Sequence, residues 1–226
     1  MSPNMLFVLL VLWASHDSLG TFLVYAAGAV PGQTTESQLI RFTPVQGRLR
    51  IDGTSNLDDW QVETKTIQGT MEAWPGFPWE TDLAGPVNAR VEAFIDARSL
   101  KSIERDGKPF SNKMDGIMHE ALKAEANPKI VYRLDRLLRK SSSKSKEGPC
   151  QFEAQGRLVV AGVTNEISMP LNVLTLAGDQ LRVWGITTVK MTDFHIDPPS
   201  PRITLGIIKT GDEVKLSFEW VLTRRN

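Results

Sequence analysis

Residues Cys150 to Thr175, CQFEAQGRLVVAGVTNEISMPLNVLT, alternate apolar and polar side chains on both sides of one turn. Phe152, Ala154, Gly156, Leu158 and Val160 share one parity, and Gln151, Glu153, Gln155 and Arg157 the other. Successive side chains of a strand point to opposite faces, so this is a half-buried strand. Beyond Gly162-Val163-Thr164-Asn165 the apolar set resumes at Ile167, Met169, Leu171 and Val173, with Glu166, Ser168 and Asn172 on the other face. The stretch predicts an antiparallel hairpin with one apolar face. That face mixes bulky residues with very small ones, so strands of this kind can enclose space rather than fill it.

The same alternation recurs along the chain. Strands are expected to start near residues 48, 60, 87, 129, 151, 165, 181 and 213. Leu49 and Ile51 define the first, which the Ser, Asn and Asp side chains of residues 53–59 turn into a corner. Trp60 and Val62 lie on one parity and Ile67, Gly69 and Met71 on the other, which predicts a bulge near residues 64–66. The third strand carries Val87, Ala89, Val91, Ala93 and Ile95 inward. Ile130, Tyr132, Leu134 and Leu138 mark the fourth, Leu181, Val183, Gly185, Thr187 and Val189 the seventh, and Val214, Leu216, Phe218, Trp220 and Leu222 the last.

Between the third and fourth strands the period changes to that of a helix. Asn112 is the expected N-cap, and Met114, Ile117, Met118, Ala121 and Leu122 form one apolar stripe ending before Asn127-Pro128. Two irregular segments also stand out. Residues 73–86 combine three prolines with Trp74, Phe77 and Trp79, and either fold back onto the domain or form a lid or membrane-touching tip. Residues 141–149 read as a solvated cationic hairpin tip. The pattern gives a mainly β chain, an eight-stranded antiparallel lipocalin-like barrel with one amphipathic helix, since closure removes the exposed edges of an open sheet.

A barrel of that size is either filled by side chains or holds one ligand. Ala89, Ala93, Ala154, Gly156, Gly185 and Thr187 are small inward residues mid-strand, where a packed core favours Leu or Phe. They predict an elongated apolar lumen. The candidate ligand-binding residues are Val91, Ala93 and Tyr132, with Met114, Ile117 and Met118 of the helix. Ala154, Gly156, Leu158, Met169 and Leu171 of the hairpin, and Val183, Gly185 and Phe218 of the last two strands, complete the set. Widening Ala93 to Phe or Gly156 to Leu is expected to narrow the lumen. The helical segment 99–124 either caps an opening through which a ligand enters or plugs one end as fixed core.

Function classes are narrowed by what is missing. The 226 residues balance 26 basic against 26 acidic side chains, and the basic ones are dispersed, which excludes an electrostatic footprint for nucleic acid. Cys150 is the only cysteine, has no neighbouring His to activate it and reads as structural. The three histidines, His16, His119 and His195, are far apart in sequence, so no metal or cofactor is expected, and His119 reads as a solvated helix residue. Asp58 and Asp59 read as turn formers rather than as an acid pair. An enzyme using Tyr132, Asp58 or His195 as acid or base, and a fully packed protein-interaction module, remain as alternatives to a lipid binder.

The N-terminus speaks to compartment. Met5 to Ser15 is apolar but too short to span a bilayer, and Ala27-Gly28-Ala29 has the small-residue spacing of a signal cleavage site. Residues 1–29 are expected to be an export signal, 30–44 a linker and 45–226 the barrel domain, giving a secreted or periplasmic protein. An uncleaved anchor over 5–30 is the alternative, and it places His16 and Asp17 inside the membrane at roughly 3 kcal/mol for the charge.

GTSNLDDW (53–60), MDGIMHEALKAEANPKIVYRL (114–134), GRLVVAGVTNEISMPL (156–171), MTDFHIDPPSP (191–201) and KTGDEVKLSFEW (209–220) together resemble the YceI-like family of secreted isoprenoid-binding proteins. The ordered set covers residues 45 to 222. The resemblance implies an extended lipocalin-like barrel that binds a polyisoprenoid or other long amphiphile without catalysis, commonly in the periplasm. A lipid ligand also allows a peripheral membrane contact. This chain departs from the family in carrying Asp58 where a His is usual before Asp-Trp, and in loops 73–86 and 141–149. Those departures bear on the ligand's head group.

Overall fold

By its internal contacts the chain divides into residues 1–35 and 36–226. The computed structural model describes residues 39–78, 84–141, 148–203 and 206–225, all in the second unit. The expected signal or anchor, Trp79 and most of the cationic loop lie outside the described residues.

The elements are β1 (Ile40–Ser55), β2 (Trp60–Thr64), β3 (Gln68–Ala73), β4 (Gly85–Val87), β5 (Ala89–Asp96), β6 (Lys101–Ile103), α1 (Asn112–Ala121), β7 (Lys129–Ser141), β8 (Cys150–Val160), β9 (Val163–Leu176), β10 (Gln180–Lys190), β11 (Arg202–Ile203), β12 (Gly206–Ile207) and β13 (Thr210–Arg224). Around the ring the order is β1, β3, β5, β7, β8, β9, β10 and β13, and β13 pairs with β1 to close an eight-stranded antiparallel barrel. Closure follows from length: β1 pairs along most of its course with β13, from Phe42 opposite Arg224 to Ser55 opposite Thr210.

Several boundaries differ from those the sequence pattern suggests. β1 starts at Ile40, not near 48, because pairing with β13 on one side and β3 on the other carries the strand through Pro44, with a register shift there and Val45 left exposed. The expected bulge at 64–66 is a full interruption. β2 and β3 both run along β1, one beside Leu49–Gly53 and the other beside Ile40–Phe42. The hairpin turn is tighter than expected, with Ala161 and Gly162 both at positive φ and β9 beginning at Val163. Two residues at positive φ give the turn whose twist matches paired strands. The connection 192–208 contains a small β11–β12 hairpin that the proline-rich sequence hides.

One end of the barrel is closed by core. Phe42, Ala73, Phe77, Cys150, Phe152 and Leu222 are buried there. The Phe77 ring lies 5.4 Å from Phe152 and 5.0 Å from Trp74, so the described part of the aromatic loop folds back onto the domain. Cys150 is fully buried beside it, as a structural residue.

Candidate functional site

The barrel encloses a cavity of about 800 Å³ that runs from Phe77, Leu137 and Val173 near the closed end to residues 55–60, 103–111 and 190–201 at the other. A volume of that size suits one small or elongated ligand. Its walls are apolar because each strand turns its hydrophobic parity inward: Leu49 and Ile51 from β1, Val91 and Ala93 from β5, Ala154 and Leu158 from β8, Met169 and Leu171 from β9. Val183 of β10 and Phe218 of β13 continue the lining. The polar lining side chains include Tyr132 and Thr187 inside the barrel and Gln61, Ser102 and Thr210 next to the mouth segments.

All but two of the predicted lining residues face this cavity. Gly156 and Gly185 do not. A Cβ on Gly156 would sit 2.3 Å from the Arg133 carbonyl oxygen and 2.7 Å from the Tyr132 hydroxyl, and one on Gly185 would sit 2.9 Å from the Phe218 ring. Each glycine lies beneath an aromatic ring of a neighbouring strand, so its missing side chain is replaced by that ring, not by open space. Gly53 is covered by Trp60 in the same way. Sequence parity alone underweighted Trp220, which also lines the cavity and donates from its indole nitrogen to the Ile67 carbonyl at 3.1 Å. Alternation on β13 marked it as inward; its place on the lumen depends on Gly47, opposite it on β1, where a Cβ would strike Ile67.

The helix crosses the mouth end with Met114, Ile117, Met118, Ala121 and Leu122 all on the cavity. Its N-cap is Ser111, not Asn112: the Ser111 hydroxyl accepts from the Met114 N–H at 3.4 Å, which satisfies one of the unpaired first-turn donors. The opposite face is latched to the segment before it. The buried Asp115 carboxylate accepts from the Ser102 N–H at 2.6 Å and the Ser102 hydroxyl at 2.7 Å, with Lys101 Nζ 3.4 Å away. His119, expected to be solvated, is half-buried with Nε2 3.0 Å from the Leu100 carbonyl. These ties favour the helix as a fixed wall over a moving cap.

The latch predicts a pH dependence. Burial pushes the Asp115 carboxyl up, but the Ser102 hydrogen bonds and the Lys101 ammonium outweigh it, and the group sits below its ordinary value. A depressed folded-state value contributes stability above the unfolded carboxylate range near pH 4, and that contribution is lost as pH falls through the folded value. Asp115→Asn is expected to lower stability at pH 7 by about 1.5–3 kcal/mol. Urea denaturation at pH 7 and pH 3 checks it: the variant should lose less on acidification than the parent, and equal losses would leave Asp115 out of the acid response.

The residues of the enzyme alternative are not brought into one hydrogen-bonded group. The Tyr132 hydroxyl is buried without a partner among the described residues, and burial, then the charge of Asp135, raises it far above its ordinary value, so it stays protonated. Asp58 is at the exposed mouth, paired with Arg105 at 3.0 Å, and also accepts from the Asp59 N–H as a turn former. His195 is exposed after the 192–194 turn. Among the described residues no group of three or more His, Cys, Asp or Glu is placed to hold a metal.

Solved structures share this architecture. Burkholderia cenocepacia BcnA superposes with a TM-score of 0.55 at 14% identity, over 77% of this chain and 95% of its own. A polyisoprenoid-binding domain from Saccharophagus degradans implicated in plant cell wall breakdown gives 0.58 at 10% identity, over 81% and 98%. The Campylobacter jejuni YCEI protein gives 0.50 at 15% identity, over 73% and 84%. At these identities the likeness shows the fold alone. No curated protein matches the sequence significantly. The YceI-like domain profile matches residues 33–222, and with most of its length matched, the chain belongs to the YceI-like family.

Proposed function

We propose that this chain binds a long-chain amphiphilic lipid such as a polyisoprenoid in the barrel lumen and carries or buffers it without catalysis. The observation that carries this reading is the elongated cavity of about 800 Å³ with apolar walls through the barrel interior. A fully packed interaction module has no such space. Burying each methylene of a tail stabilises the complex by roughly 0.8 kcal/mol, so a chain of moderate length outweighs its own ordering. Family membership and the polyisoprenoid binding named for the Saccharophagus degradans domain support the lipid class.

Organic extraction of protein purified from its native compartment, followed by mass spectrometry, tests the proposal. A stoichiometric long-chain lipid is the expected result; repeated extraction of nothing but solvent background would reject it. The proposal includes export to the periplasm or cell exterior. The mature protein is then expected to lack residues 1–29, and an intact mass that retains Phe7 to Val11 would favour a membrane anchor instead.

A further inference from the structure

β9 and β10 are long neighbours that pair along only part of their length. Their register runs from Gln180 opposite Leu176 to Gly185 opposite Leu171, although β9 reaches back to Val163 and β10 on to Lys190. On its other side each strand stays paired to that end, β9 with β8 at Val163–Val160 and β10 with β13 at Lys190–Glu213. The next partner of Ile186 would be Pro170, which has no amide hydrogen to give the ladder. Beyond it the buried Phe194 lies between the strands, and the Asn165 side-chain amide donates to the Asp193 carbonyl at 2.5 Å.

The parted strands leave a slot of about 340 Å³ in the barrel wall. Ile167, Thr187, Val189 and Phe194 line both the slot and the lumen, so these side chains form the partition between the two spaces. The slot is chemically unlike the lumen. Asn165, Ser168, Thr187 and Thr188 supply amide and hydroxyl groups, Glu166 and Asp193 supply carboxylates, and no Lys or Arg lines it. The facing edges of β9 and β10 add backbone N–H and C=O groups released from the ladder, which need partners. At the mouth, by contrast, charges of both signs line the opening, Arg105 paired with Asp58 at 3.0 Å and Asp59, Glu104 and Lys190 beside them, next to the exposed apolar Leu57 and Phe110.

We propose that the slot between β9 and β10 seats the polar head of the bound amphiphile while its tail lies in the lumen, and that this head is an uncharged or cationic hydrogen-bonding group, not a phosphate. A phosphate would face two carboxylates, and Arg157, opposite Glu166 on β8, is already ion-paired with Asp135 at 2.8 Å, whereas hydroxyl or amine groups meet the released backbone and the threonine hydroxyls. The inference rests on the lumen being the tail site, so the test separates the two.

Diphenylhexatriene, a hydrocarbon without a head, reports lumen occupancy by fluorescence, and monoolein, oleylamine and oleyl phosphate compete with it through similar tails. Monoolein and oleylamine are expected to bind about tenfold or more tightly than oleyl phosphate at pH 7. Thr188→Val, at an exposed slot position that does not line the lumen, should weaken monoolein several-fold without changing diphenylhexatriene uptake. Glu166→Lys, at an exposed position, should strengthen oleyl phosphate by about tenfold. Uptake of diphenylhexatriene with equal affinity for all three heads, or with no response to either substitution, overturns the slot and leaves the lumen reading standing. If the protein takes up no diphenylhexatriene, both fall together.

Discussion

Gly156→Leu is expected to break the barrel, not to narrow its lumen. The new Cβ would lie 2.3 Å from the Arg133 carbonyl oxygen and 2.8 Å from the Tyr132 ring. The first of these is backbone and can yield only if β7 and β8 separate at the Leu134–Gly156 pair, beside the register shift at residues 134–136. Overpacking that displaces backbone costs about 3 kcal/mol or more, a large share of a domain's net stability. Urea denaturation should show a loss of that size or an insoluble product. A variant within about 0.5 kcal/mol of the parent would mean that β7 and β8 part freely there, against the geometry described.

Ala93→Phe should do the opposite: leave the fold and remove the ligand. Ala93 lines the cavity from β5, opposite Tyr132 on β7 and Gly69 on β3, so a benzyl group enters open volume. A tail excluded by that ring gives up several methylene contacts at roughly 0.8 kcal/mol each, which lowers affinity by about a hundredfold. Lipid recovered per mole of protein should fall by about tenfold or more, with the denaturation midpoint little changed. In a packed barrel the same substitution would cost about 1–3 kcal/mol. Strong destabilisation with unchanged lipid content would reject Ala93 as a lumen residue.

The contrast between these two positions shows how far the chain can be read without its fold. Strand parity is a local property, because successive side chains must point to opposite faces, and it placed Val91, Ala93, Ala154, Leu158, Met169, Leu171 and Val183 on the inner face of a barrel from residue order alone. The same holds for the apolar stripe of α1, since its 3.6-residue period requires a single buried side. Gly156 and Gly185 have the parity of lumen residues, yet whether the space above them is empty depends on Tyr132 and Phe218, which belong to other strands. Nothing within their own strands says which neighbour's ring will cover them.

The closing pair β1–β13 joins the two ends of the domain; its register extended β1 back to Phe42, and pairing with β3 extended it to Ile40, where local pattern suggested a linker. The latch of Asp115 on Ser102 and of His119 on Leu100 joins residues that share no pattern, so His119 could not be distinguished from a solvated histidine beforehand. Pro170 was visible inside an alternating run and is the one local sign that a ladder fails there. That the failure leaves a polar slot beside an apolar lumen was decided by tertiary structure, because the buried Phe194 of the 192–194 turn lies between residues 163–170 and 186–190, and the strand pattern does not say where that turn packs. Residue order therefore determined the inward faces and the need for closure, whereas the shape of the enclosed space came from contacts between residues distant in the chain, which local periodicity does not encode.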